Sequence, residues 1–177
     1  MKIQSTDLDG CFIIEPFYLE DHRGSFCKPF HSDEFKKHNL NFEIKEQFYS
    51  KSKKNILRGL HFQLPPKATK KLVTCISGRV LDCVVDLRKK SPTYLKSFTI
   101  ELNDPSKILF IPEGFAHGFC SLEDDSTLLY MNSEVFYPEF DSGIKWNSLG
   151  INWPVKAPII SERDEKLVPF KDFNNPF

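Results

Sequence analysis

Lys71-Leu72-Val73-Thr74-Cys75-Ile76-Ser77-Gly78-Arg79-Val80-Leu81-Asp82-Cys83-Val84-Val85-Asp86-Leu87 reads as two strands around a turn. β-branched and apolar residues fill both arms, and Ser77-Gly78 closes the first. Downstream, Ser91-Pro92-Thr93 turns the chain, and Ser97 to Leu102 alternates with Phe98, Ile100 and Leu102 on one face. After a turn at Asn103-Asp104-Pro105, Ile108 to Ile111, Leu128 to Met131 and Val135 to Pro138 read as further strands. Upstream, Glu46 to Ser50 and Arg58 to Gln63 are strands joined by a polar hairpin connection, Lys51 to Asn55, and Pro65-Pro66 ends the second. Ile3 to Phe17 holds short strands, and Asp21 to Phe26 is a turn with Gly24 at its tip. The helix expected over Ser32 to His38 takes Ser32 as its N-cap and carries acids in the first turn. Strands with turn signals roughly every eight to twelve residues predict a β-sandwich or barrel. No repeat or linker interrupts the chain, which is read as one domain over residues 1–177. From Gly143 onward the pattern changes. This tail carries Trp146, Trp153 and several prolines, is too aromatic to be disordered, and is expected to pack back on the barrel.

The balance of 24 lysines and arginines against 24 aspartates and glutamates supplies no global field for nucleic acid or an anionic membrane. Seventeen phenylalanines and 12 prolines favour strands and turns. Five scattered cysteines without a C-x-x-C pair suit reduced thiols in a cytoplasm. The first residues lack the hydrophobic core of a signal peptide, and no apolar run approaches membrane length.

Two stretches carry chemistry. Leu57-Arg58-Gly59-Leu60-His61-Phe62-Gln63, with Lys71 beyond it, sets two cations suited to a polyanion beside a histidine suited to proton transfer or metal ligation. Ile111-Pro112-Glu113-Gly114-Phe115-Ala116-His117-Gly118-Phe119 offers a second histidine in a similar setting. One buried histidine is ordinarily a satisfied core residue. Two in Gly-rich strands, with Arg58 and Lys71 close by, point to a site.

Pro112-x-Gly114-x-x-His117 resembles the second motif of the cupins, which are jelly-roll barrels of the double-stranded β-helix type. Cupin metal sites usually pair H-x-H with a following glutamate. Here that part reads His61-Phe62-Gln63, and Lys71 stands where an acid is expected. An amide is a poor ligand for a transition metal and an ammonium repels one, so a metal-independent site without a cofactor is expected. A metal-dependent cupin dioxygenase is the alternative on this point.

Further stretches resemble one cupin branch, the dTDP-4-dehydrorhamnose 3,5-epimerases: Asp21-x-Arg23-Gly24-x-Phe26, Leu57-Arg58-Gly59-Leu60-His61-x-Gln63, Lys71-Leu72-Val73, Val85-Asp86-Leu87-Arg88, Ser91-Pro92-Thr93, Gly143-Ile144-x-Trp146, Trp153-Pro154 and Ser161-Glu162-Arg163-Asp164. The resemblance implies an all-β, cupin-type barrel with few short helices. It implies proton transfer at C3 and C5 of a nucleoside-diphosphate 4-keto-6-deoxy sugar, in deoxysugar synthesis for bacterial surface polysaccharide. It further implies His61 as base with Asp164 as its partner, Lys71 on the O4 enolate, and Tyr130 as the acid on the opposite face. Arg23 and Arg58 match diphosphate ligands, and Gln63 and His117 match substrate-pocket residues. It also implies a homodimer that exchanges N-terminal strands, so that Arg23 serves the neighbouring site.

The pattern departs at two places. Lys28 stands where the family usually has a glutamate that reads thymine, and Phe48 stands where a polar residue is usual. Lysine cannot accept a hydrogen bond, and Phe48 is expected to stack on a base or close the sugar pocket. These changes leave dTDP, CDP and GDP open as the nucleotide. Inversion at one centre, 3,4-ketoisomerisation and non-catalytic sugar-nucleotide binding also stay open.

Overall fold

The computed structural model describes residues 1–177. In chain order the elements are β1 (Lys2–Ser5), β2 (Phe12–Glu15), β3 (Phe17–Asp21), β4 (Gly24–Lys28), α1 (Ser32–Lys37), β5 (Glu46–Ser52), β6 (Leu57–Gln63), β7 (Lys71–Ser77), β8 (Val80–Asp86), β9 (Ser97–Leu102), β10 (Ile108–Ile111), β11 (Phe115–Ser121), β12 (Ser126–Asn132), β13 (Asp141–Gly143) and α2 (Glu162–Glu165). A six-stranded sheet, β1-β2-β10-β7-β12-β5, faces a five-stranded sheet, β13-β6-β11-β8-β9, and every pairing within them is antiparallel. This is the expected cupin-type jelly roll. β3 and β4 form a separate two-stranded ribbon.

Strand alternation sorts the apolar residues into three layers. Val73, Val84, Leu109, Phe115, Phe119 and Leu128 meet between the sheets. Ile14, Leu72, Phe110 and Met131 back the six-stranded sheet, where Phe35 of α1 and Phe42 cover them. Cys83, Val85, Ala116 and Cys120 back the five-stranded sheet, where the tail covers them with Trp146, Trp153, Phe170, Phe173 and Phe177. The tail therefore packs back as expected. Ile159 lies in parallel beside Ile56, and its backbone bonds Leu57 and Asn55. No helix is long and apolar enough to cross a membrane.

Three local expectations fail. Helix α1 begins at Ser32, and its N-cap is His31, which makes no side-chain cap bond. Burial of Phe35 against the sheet holds this short helix where a cap was expected. Val135 to Pro138 is irregular, because the Gln63 amide takes the Val135 carbonyl and the Tyr137 amide that a strand would pair. Lys51 and Ser52 continue β5, and β5 and β6 belong to different sheets, so Lys53 to Asn55 crosses between sheets instead of closing a hairpin.

Gly59 and Gly118 let β6 and β11 approach closely. A Cβ on Gly59 would lie 2.6 Å from the Gly118 Cα and 2.9 Å from the His117 oxygen, and Gly59 holds φ +131°. Gly59→Ala is expected to cost on the order of 3 kcal/mol in urea unfolding, from overpacking and backbone strain together. Gly150→Ala, with φ +69° and open space around it, should cost about 1 kcal/mol.

Candidate active site

A cavity of about 670 Å³ opens between the two sheets. The five-stranded sheet supplies Arg58 and His61 from β6 and His117 from β11, with His61 and His117 directly paired across the strands. The six-stranded sheet supplies the opposite wall in two rows set by register. Lys71, Asn132 and Glu46 stand side by side on β7, β12 and β5, and Val73, Tyr130 and Phe48 form the next row. Directly opposed residues share a face with Cβ atoms about 5 Å apart. The tail closes one end with Arg163 and Asp164 of α2.

His61 Nε2 donates to Asp164 Oδ1 at 2.6 Å, which leaves Nδ1 with the free lone pair. The carboxylate is 2 % exposed and also accepts from the Gly59 amide at 3.2 Å. The Ser161 hydroxyl caps α2 by accepting from the Asp164 amide. Burial lowers the His61 pKa below 6.5, and Asp164 opposes that shift. Burial also works to raise Asp164, but hydrogen bonds from His61 and Gly59 outweigh it and hold the carboxyl below its ordinary range. At neutral pH the pair is thus a neutral imidazole on an ionised carboxylate, the arrangement of a base with its orienting acid.

His117 Nε2 donates to both oxygens of Asp82, at 3.0 and 2.9 Å, and both residues are buried. Sequence reasoning noted Asp82 only as part of a strand. Its signal was an acid in an apolar strand, since a buried carboxylate requires a partner. Asn132 and Asp141 were missed as cavity residues and carry no comparable local signal; Arg163, from the Ser161-Glu162-Arg163-Asp164 stretch, pairs with Asp141 at the rim, 2.7 Å apart.

Lys71 points into the cavity from β7, with Nζ 3.5 Å from the His61 carbonyl. Burial pushes its ammonium down to about 8. Tyr130 is 7 % exposed, and burial pushes its phenol well above the ordinary value of 10.0. Phe48 stacks on Tyr130, with centroids 4.7 Å apart and planes 14° from parallel.

The remaining expected residues divide. Arg58 lies at the cavity with an unpaired guanidinium, steadied by the Ser52 hydroxyl and the Lys51 carbonyl. Gln63 is in the wall, but its Nε2 donates to Lys67 O and Val135 O while its Oε1 accepts from Tyr137 N. Its amide holds a loop in place, in contrast to the substrate contact expected of it. Arg23 is exposed on the β3–β4 ribbon and paired with Asp21, and Lys28 lies on the same ribbon beside Phe17; neither lines the cavity of its own chain.

Comparisons with known proteins agree with this geometry. Residues 5–172 match the family model described as dTDP-4-dehydrorhamnose 3,5-epimerase. The chain is 42 % identical over 173 residues to the protein of that name from Methanothermobacter thermautotrophicus, covering 94 % of this chain and 93 % of that relative. It is 40 % identical over 176 residues to the one from Shigella flexneri, covering 97 % of each. It is also similar to the crystal structure of the Legionella pneumophila epimerase RmlC in complex with dTDP-4-keto-L-rhamnose, with TM-score 0.92, 30 % identity, and coverage of 98 % of this chain and 94 % of that one.

The lowered Lys71 pKa makes a stability prediction. Between pH 8 and 10.5 the unfolded lysine binds a proton that the folded one has lost, so stability rises with pH over this window. Lys71→Met lacks this slope. Well below pH 8 the variant should exceed the parent by on the order of 3 kcal/mol in urea unfolding, and the gap should close as pH rises. Groups that do not interact with Lys71 cancel in this difference.

Proposed function

The chain belongs to the dTDP-4-dehydrorhamnose 3,5-epimerase family, and we propose that it inverts C3 and C5 of a dTDP-linked 4-keto-6-deoxyhexose. The observation that carries this reading is the opposition of His61, on one sheet, to Tyr130 and Lys71, on the other, across one cavity. Inversion needs a proton removed from one face of a ring and another delivered to its opposite face, and base and acid on opposed walls supply that.

The ketone acidifies the hydrogens on its neighbouring carbons. His61 Nδ1 takes the proton from C3 or C5, and the C–H electron pair moves through the adjacent bond onto O4. Asp164 stabilises the resulting imidazolium without itself taking the proton. The Lys71 ammonium meets the enolate oxygen, an interaction contributing on the order of 3 kcal/mol in a dry site. Collapse of the enolate draws the Tyr130 hydroxyl proton onto the same carbon from the far side. Exchange with solvent then reprotonates tyrosinate and deprotonates imidazolium. Arg58, whose guanidinium has no carboxylate partner and keeps donors beyond those to Ser52 and Lys51, suits the diphosphate. His117, held by Asp82, supports the wall beside His61.

In D2O the protein should exchange deuterium into both C3 and C5 of the dTDP-sugar, followed by NMR, and His61→Ala and Lys71→Ala should each lower exchange by roughly 100-fold or more. Wild-type exchange rates in both variants would refute the assignment. Parallel reactions with CDP- and GDP-sugars test the nucleotide that Lys28 leaves open. Exchange at only one carbon would mark a single-centre epimerase.

The ribbon supports a homodimer. Phe17, Leu19 and Phe26 are 50 %, 56 % and 57 % exposed, and β5 is an outermost strand with a free edge, a feature that ordinarily needs cover. A second copy that takes the ribbon across β5 would cover both and would bring Arg23 and Lys28 to its neighbour's cavity. Co-expressed His61→Ala and Arg23→Ala chains should then recover up to about a quarter of wild-type activity, because half of the dimers are mixed and each holds one intact site. A site complete within each chain would recover none. The five cysteines are all free and four are buried, which suits a reducing cytoplasm.

A further inference from the structure

Burial makes Tyr130 a reluctant acid, because desolvation pushes its phenol well above the ordinary 10.0. Two ionic groups reach it through space with opposite signs: Asp82 of β8 raises its pKa and Arg58 of β6 lowers it. His117 of β11 meets the ring edge-on, with centroids 5.9 Å apart and planes at 71°. Lys71 stands one row away on β7. On β5, Phe48 stacks on the ring, and Ser50 adds a neutral hydroxyl. Phe48 is directly opposite Tyr130 and Ser50 is opposite Leu128, so Ser50 lies diagonal to Tyr130 on the same face of the sheet. An aromatic side chain spans that separation. The Ser50 Oγ is buried and closes no hydrogen bond in the resting structure. It nevertheless reaches the phenol closely enough to work against the effect of burial. A buried hydroxyl left open is costly, and the cost is recovered when a charge arises beside it.

We propose that Ser50 is a positioning residue for the acid: its hydroxyl donates to Tyr130 Oη when the phenol becomes tyrosinate. The inference deepens the epimerase reading and rests on it. As the Tyr130 O–H bond breaks and the new C–H bond forms on the sugar, the O–H electron pair stays on the phenolate oxygen. Ser50 keeps its own proton and shares it in a charge-assisted hydrogen bond, which is stronger than one to the neutral phenol. Solvent returns a proton to Tyr130 at the end of turnover. Ser50 acts through Tyr130, since its own Oγ is sealed from solvent.

The contact can be tested without substrate. Placing 3,5-difluorotyrosine at the five tyrosines brings phenol titration into a range where the fold survives. Fluorine NMR reads each ring, and the signal lost in Tyr130→Phe is that of Tyr130. Ser50→Ala removes a hydroxyl without stranding a partner, so it should fold. It should raise the Tyr130 midpoint by about one pH unit, a roughly 10-fold gain in proton affinity for a lost bond to a charged acceptor. Ser50→Thr keeps a donor and should hold the wild-type midpoint. Asp82, Arg58, His117 and Lys71 are common to all three proteins and drop out of the comparison. In the unlabelled protein, Ser50→Ala should lower kcat for inversion roughly 10-fold and leave KM within about 2-fold, because the bond forms only as the proton leaves. An unchanged midpoint in Ser50→Ala, an equal rise in Ser50→Thr, or a wild-type kcat in Ser50→Ala would each overturn the role. Absence of inversion by the wild-type protein with every nucleotide sugar would instead overturn the epimerase reading, while the titration still decides the Ser50–Tyr130 contact.

Discussion

The buried carboxylate of Asp164 joins the two parts of the chain on which everything else depends. One oxygen accepts from the backbone amide of Gly59 and the other from the His61 ring. The first bond docks α2 on the barrel, and the second sets the tautomer of the imidazole. A carboxylate only 2 % exposed would be costly without these partners. The tail is thus tied to the barrel by the group that prepares the histidine. Stability and chemistry share one contact here.

The same tension appears across the cavity. Lys71 sits where burial disfavours its charge, and Tyr130 where burial disfavours losing its proton. Neither arrangement serves folding. Both suit a reaction in which negative charge arises transiently on a sugar oxygen, because an ammonium already deprived of water responds strongly to that charge. Asp82 plays the quieter part. It holds His117 inside the barrel, where an unpaired imidazole beside the paired His61 would be free to turn.

Register converts strand order into site geometry. On the six-stranded sheet, opposed positions on β7, β12 and β5 place Lys71, Asn132 and Glu46 in one row and Tyr130 beside Phe48 in the next. A slip of one residue in β12 would turn Tyr130 and Asn132 out of the cavity together. The stack of Phe48 on Tyr130 follows from this register. The ring packs on the phenol and still lines the cavity.

The sequence by itself determined the all-β class, the position of most strands, and the chemical types at the site, because alternation and turn chemistry are local properties. Motif resemblance named His61, Lys71, Tyr130 and Asp164 before any geometry was available. The tertiary structure alone decided which groups meet. The His61–Asp164 contact spans 103 positions, and no periodicity encodes a pairing at that range. Gln63 looked like a substrate contact until its amide was found engaged by the backbone of a distant loop. Arg23 and Lys28 lie on the ribbon, outside the cavity of their own chain, a placement that no local pattern in the sequence shows. Local sequence specifies what a strand is. Sheet membership and register specify what each of its side chains touches, and these arise only when strands remote in the chain pack together.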